Sequence, residues 1–218
     1  MSIQSAYNEW SEIYDSNENL TRDLDEKVTR ETLTNLRFKS ILEIGCGTGK
    51  NTVFLAQIGE QVHALDFSQG MIEKAKEKVK AGNVRFELAD LTQKWNCANA
   101  AYDLVACNLV LEHIQNLSHI FSEAARVLET KGKFFINELH PFRQYTGTQA
   151  RFERHDATIE VEAFVHHISD FTNAASASSL RMVTLNEYWH EADKGKPPRL
   201  VSFLFEKESV SGADENQQ

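Results

Sequence analysis

The chain has 218 residues, 41% of them hydrophobic, enough to bury one sizeable core and within the range of a single α/β domain. Its formal net charge is −9, with acidic residues spread along the chain and a polar acidic tail over residues 206–218, a balance that repels phosphate backbones and argues against a sequence-independent nucleic-acid binder. Cys46, Cys97 and Cys107 form no CxxC pair, the first twelve residues are polar and acidic, and no apolar run nears the roughly 20 residues of a membrane helix. The expected setting is cytoplasmic, with no membrane association.

Trp10, Ile13, Tyr14, Leu20, Leu24, Val28, Leu33 and Leu36 recur at helical spacing, broken by the turn-like Asp15-Ser16-Asn17, which predicts a short helix, a turn and a longer helix over residues 5–37. From residue 40 to 137 short apolar runs alternate with amphipathic segments, the pattern of a parallel sheet covered by crossover helices. Strands are predicted at 40–44, 61–66, 84–88, 104–108 and 132–137, and helices at 48–58, 69–81 and 118–128, the last stopped by Lys131-Gly132. Beyond Pro141 the sequence turns polar, with short strands around 151–152 and 158–161 and a helix N-capped by Ser169 and running through Ser179. Strands at 182–190 and 199–207, parted by a loop with Gly195, Pro197 and Pro198, close the chain as a hairpin. The organisation is one domain, 1–218, in four parts: 1–37, 38–140, 141–181 and 182–208.

Residues 41–49 read Ile-Leu-Glu-Ile-Gly-Cys-Gly-Thr-Gly, a buried strand running into a glycine-rich turn that opens a helix. Alternate glycines let the backbone take positive φ and let a ligand approach without meeting a β-carbon. A dinucleotide fingerprint needs its third glycine at position 50, which is Lys50, and no phosphate-cradling G-K-[ST] ending is present. Asp66 ends the next predicted strand, 21 positions after Gly45, the offset of a ribose-reading carboxylate in a βαβ unit.

Glu43-Ile44-Gly45-Cys46-Gly47-Thr48-Gly49 resembles motif I of the class I S-adenosylmethionine-dependent methyltransferases, with Glu43 as its acidic residue. Residues 62–71 are similar to the family's second strand, residues 86–91 to its third, 102–114 to its fourth and 132–138 to its fifth, so the likeness covers about residues 38–140. Residues 6–15 resemble the leading helix that closes over the cofactor in small-molecule members, which makes 1–37 a helical lid. The resemblance implies a doubly wound, Rossmann-like α/β fold with a seven-stranded mixed sheet, helices on both faces and the last hairpin adding an antiparallel strand at one edge. It implies S-adenosylmethionine as cofactor and S-adenosylhomocysteine as product. Asp66 would accept from the ribose hydroxyls with Phe67 beside it, Met71 would pack on the adenine, and Asp90 and the Leu91 N–H would meet the adenine edge. Asn108 would stand at the methionine end, over Glu43, Gly45, Cys46, Gly47 and Gly49, with the ring of Tyr14 facing the sulfonium. The chain departs from many relatives in carrying Ser179-Leu180 where they have Gly-Phe.

Bland readings stand beside these. Asp66 also suits an N-cap for the helix from Gln69, Asp90 a turn before Thr92, and Met71 core filling. The histidines form no ligand-spaced cluster, so no metal is expected. His113 and His140 follow the fourth and fifth strands and are the candidate catalytic bases. Trp10, His113, Glu138, His140, Arg143 and Tyr145 are the candidate substrate contacts, with residues 151–167 supplying the rest of an acceptor pocket.

The expected activity is in-line transfer of a methyl group to a small molecule, a task of positioning and water exclusion. A base such as His113 or His140 serves if the acceptor must lose a proton, and none is needed for a carboxylate or thiolate. The sequence does not choose between them. The alternatives are a methyltransferase of a peptide or carrier-bound substrate, and a non-catalytic regulatory protein that binds the cofactor. The expected association state is a monomer or homodimer.

Overall fold

The computed structural model describes residues 2–16, 18–154 and 157–209; Asn17 of the expected turn, His155 and the tail beyond residue 209 lie outside these. Helices α1 (Ile3–Trp10) and α2 (Leu20–Leu33) precede β1 (Phe38–Ile44), α3 (Thr52–Ile58), β2 (Gly59–Asp66), α4 (Gln69–Lys78), β3 (Val84–Leu88), β4 (Tyr102–Asn108), α5 (Leu117–Val127) and β5 (Leu128–Leu139). Then come α6 (Pro141–Tyr145), β6 (Arg151–Arg154), β7 (Ala157–Glu160), α7 (Ile168–Ala177), β8 (Leu180–Tyr188) and β9 (Leu200–Lys207).

Seven strands form one sheet in the order β3-β2-β1-β4-β5-β9-β8, and β6 and β7 form a separate hairpin. The strands from β3 to β5 pair in parallel, whereas β9 runs antiparallel to both β5 and β8. The antiparallel strand is therefore one in from the edge, and β8 is the edge itself. Chain order reverses between β1 and β4, so their carboxyl ends bound a crevice, the place where open α/β sheets take ligands.

Alternation along the central strands sends side chains to two cores. Leu42, Ile44, Val105, Phe134 and Ile136 pack with α5 and α7 on one face. Ile41, Leu104, Ala106 and Phe135 pack with α2 and α3 on the other. Two covered faces explain why these strands read as continuous apolar runs. A third, smaller cluster joins Ala6 and Trp10 of α1 to Phe152 and Val161, tying the amino terminus to the β6–β7 hairpin. Among the described residues no helix is long and apolar enough to cross a membrane.

Several boundaries differ from expectation for local reasons. Helix α3 begins at Thr52 and not at residue 48, because Gly47 and Gly49 take φ of 52° and 80°, outside the helical region. The expected stop at Lys131-Gly132 falls inside β5: α5 ends at Val127 and Leu128 pairs at once with Tyr102. Helix α7 is capped by His167 rather than Ser169, its backbone N–H donating to Asp170 Oδ2 at 2.8 Å.

Candidate functional site

At the β1–β4 crevice lies a cavity of about 340 Å³, within the usual range for a small-molecule site. Its wall brings together Tyr14, Glu43, Gly45, Cys46, Gly47, Asp66, Phe67, Met71, Asp90, Leu91, Asn108 and His113 from segments far apart in sequence. Gly45, Gly47 and Gly49 all have positive φ. A β-carbon added at Gly47 would meet nothing within 4 Å, so the backbone there is open to an approaching group. One at Gly49 would lie 2.9 Å from Val79 Cγ2; this glycine does not line the cavity but lets α4 pack closely on the turn.

Asp66 holds the turn and α4 together. Its Oδ2 accepts from the Gly47 N–H at 2.8 Å and its Oδ1 from the Ser68 N–H at 2.9 Å. Burial nevertheless pushes its carboxyl up to about 6, against the lowering effect of those backbone donors. The cap of α4 is Ser68, whose Oγ accepts from the Met71 N–H. Asp90 Oδ1 accepts from the Thr92 N–H at 2.9 Å, so this carboxylate shapes its own turn while also lining the cavity.

Acceptors dominate the end of the cavity formed by β1, β4 and α2. Glu43 is buried, accepts from Thr52 Oγ at 2.6 Å, and is pushed by burial up to about 8. Asp25 of α2 is buried too: its Oδ1 accepts from Asn108 and Asn137 Nδ2, both at 2.7 Å, and its Oδ2 from Asn51 Nδ2 at 2.8 Å. Burial raises it to about 6, the three amides acting the other way. Arg22, one helical turn before Asp25, lies 4.0 Å over the ring of Tyr14 and also lines the cavity. Sequence reasoning missed Asp25, Arg22, Asn51 and Tyr7. Asp25 sits among the apolar residues of α2, and only the fold shows that this helix crosses the carboxyl end of the sheet.

The other expected residues stand outside the cavity wall. Trp10 is buried with its ring stacked on Phe152 at 5.1 Å, so it anchors α1 to the hairpin. Glu138 is buried and its Oε1 gathers the N–H groups of Val110 and Leu111 at 2.9 and 3.0 Å, fixing the loop that carries His113. His140 caps α6, its Nδ1 accepting from the Phe142 N–H at 3.1 Å while Nε2 contacts Glu187 at 2.9 Å. Both ring nitrogens of His140 are thus engaged within the protein, where they fasten the loop after β5. Arg143 pairs with buried Asp193 at 2.8 Å, and exposed Tyr145 pairs with His167, so neither meets the cavity. Among the described residues no group of His, Cys, Asp or Glu is arranged to hold a metal ion.

Residues 42–136 match the family described as "Methyltransferase domain". The chain is 27% identical to an uncharacterised methyltransferase of Emericella nidulans over 83% of this chain and 76% of that one. It is 35% identical to a demethylmenaquinone methyltransferase of Leptospira interrogans over 43% of this chain and 40% of that one. An S-adenosylmethionine-dependent methyltransferase structure from Clostridium acetobutylicum shares the fold, with a TM-score of 0.68 at 17% identity over 94% of this chain and all of that one. Residues 42–136 are thus a methyltransferase domain, in a chain with the fold of S-adenosylmethionine-dependent methyltransferases, and S-adenosylmethionine is the cofactor.

Proposed function

We propose that this chain methylates a small-molecule acceptor, with the amino-acid and sugar parts of the cofactor held by the wall just described. The observation that carries the reading is the meeting of an open glycine turn with a buried carboxylate: Gly47 and Asp66 share a 2.8 Å hydrogen bond beside the cavity. When bound, S-adenosylmethionine supplies a methyl group on an already activated sulfonium, so the protein needs to align the acceptor and exclude water.

Each chain element has a matching task. Asp66, oriented by the backbone N–H groups of Gly47 and Ser68, turns its carboxylate toward the two ribose hydroxyls. Asp25, surrounded by neutral amide donors, offers a buried carboxylate to the α-ammonium, and Arg22 offers a guanidinium to the α-carboxylate. Met71, 1% exposed and on the cavity wall, presents a polarisable side chain to the adenine. Helix α1 covers the crevice, docked by Gln4 Nε2 on the Phe67 carbonyl at 2.7 Å and by Asn8 Oδ1, which accepts from Ser68 Oγ at 2.7 Å. The name of the Leptospira relative supports an acceptor of metabolite size.

A single-turnover assay with methyl-labelled S-adenosylmethionine against a metabolite extract tests the reading. Label in one or a few small compounds supports it; label confined to protein, or none in any compound, rejects it.

A further inference from the structure

His113 stands on the short 3-10 turn Leu111–His113 that follows β4. Its Nδ1 lies 2.8 Å from the Glu162 carbonyl oxygen and its Nε2 lies 2.7 Å from the Tyr7 hydroxyl. A carbonyl cannot donate, so Nδ1 carries the ring hydrogen and Nε2 carries the lone pair. Tyr7 therefore donates to His113. The three partners come from α1, the turn after β4 and the segment after β7, and Tyr7 reaches the ring only with α1 seated on the Phe67–Gly70 turn, where Asn8 Oδ1 also accepts from the Gly70 N–H at 3.2 Å. Both Tyr7 and His113 line the same cavity as Asp66.

Resting on the methyltransferase reading above, we infer that Tyr7 and His113 form a proton relay, completed by closure of α1, that serves an acceptor hydroxyl of phenolic or enolic acidity. The acceptor hydroxyl passes its proton to Tyr7 Oη while the Tyr7 hydrogen moves to His113 Nε2. The freed oxygen lone pair forms the bond to the methyl carbon as the carbon–sulfur bond breaks, its electron pair staying on sulfur. The extra proton then leaves from the imidazolium to solvent when the lid opens.

The surroundings match that sequence. Glu112 Oε1 lies 3.8 Å from His113 Nε2, with burial pushing its own carboxyl up to about 7; Glu162 contributes only its carbonyl, and Tyr14, Asp66 and Glu138 are the other ionisable groups acting on Tyr7. Burial holds His113 below its ordinary value and Tyr7 well above its own, so both are neutral near neutral pH. A neutral imidazole of that basicity takes a proton from a group of pKa about 10, such as a phenol, far more readily than from an aliphatic alcohol. The rings of Phe67 and Tyr14, which line the cavity at 5.9 and 6.5 Å from that of Tyr7, suit a flat neutral acceptor better than a carboxylate.

The test is long-range proton–nitrogen NMR on ¹⁵N-histidine protein with S-adenosylhomocysteine, His113 being assigned with His113→Gln. The expected wild-type signal is the Nδ1–H tautomer, and Tyr7→Phe raises the His113 pKa because the neutral ring loses its donor. An Nε2–H tautomer in the wild type, or a titration unchanged in Tyr7→Phe, overturns the relay. Failure of the wild type to bind S-adenosylhomocysteine at all instead overturns the cofactor reading on which it rests. With labelled S-adenosylmethionine and a panel of phenols, enols, amines, thiols and carboxylates, label is expected in the hydroxyl compounds, at a rate about 10²–10⁴-fold lower in His113→Gln. Label confined to the other classes, or absent from every hydroxyl compound, overturns the acceptor class.

Discussion

Asp66 Oδ2 accepts the Gly47 backbone N–H at 2.8 Å, so the end of β2 and the middle of the glycine turn are one rigid unit. The two neighbouring glycines of that turn do different work. At Gly49 φ is 80° and a β-carbon would press on Val79 and Ala75, so Gly49→Ala adds a clash to backbone strain. At Gly47 φ is 52° and the space is open, so Gly47→Ala carries only the strain, about 1–2 kcal/mol. Gly49→Ala should lower the thermal midpoint more than Gly47→Ala. Gly47→Ala should in turn weaken S-adenosylhomocysteine binding beyond its effect on stability, because its methyl group projects where the ligand approaches. Equal stability losses, or undiminished binding in Gly47→Ala, would count against this division.

Cofactor affinity should depend on pH near 6. Asp25 and Asp66 are both raised by burial to about 6, and both are assigned to the ligand as carboxylates. Binding that favours the ionised form lowers these values, so affinity is full well above pH 6 and falls as pH drops through it, with proton release on binding near pH 6. Calorimetry in buffers of different ionisation heat checks this; a dissociation constant flat from pH 5 to 8 would not fit.

Stability should move in the opposite sense at higher pH. Glu43 and Glu138 are pushed by burial to about 8 and Glu112 to about 7, above their unfolded values near 4.3. Between these limits the folded chain holds more protons than the unfolded one, so stability falls as pH rises, most steeply up to about 8. His63, His113 and His140 are lowered and oppose this only below their ordinary value of about 6.5. Thermal midpoints of the ligand-free protein should therefore rise from pH 8.5 to 7, and a Glu43→Gln, Glu138→Gln double variant should flatten the slope.

The polar cluster after β5 should prove structural. Asp193 is fully buried, bonded at 2.7 Å to Arg199 Nε and Nη2 and at 2.8 Å to Arg143, which hold its carboxyl well below the usual range. Removing that acceptor leaves two arginines facing a buried gap, so Asp193→Ala should cost about 3–5 kcal/mol in urea unfolding. Cofactor binding in the folded variant should persist; loss of binding without loss of stability would assign Arg143 to the site after all.

The sheet core was legible because parallel strands buried on both faces read as apolar runs, and because Gly45–Gly49 and Asp66 stand at strand ends at a telling spacing, while Asp90, two residues beyond β3, was reached through the family resemblance. Asp25 and Tyr7 were not legible. Each belongs to an amphipathic helix whose period gives its buried face but not what that face covers. His140, Arg143 and Tyr145 follow a strand end as a ligand contact would, yet α6 turns them toward Glu187, Asp193 and His167. Distance from a strand end in sequence says where a side chain starts; the turn after it decides where it goes.

The most direct measurement is isothermal titration of S-adenosylmethionine and S-adenosylhomocysteine into the wild type and Asp66→Ala. One site for each ligand in the wild type, weakened about tenfold to a hundredfold in a variant that remains folded, is the predicted result. Absence of binding heat from both ligands in the wild type across several temperatures, or undiminished affinity in Asp66→Ala, would contradict it.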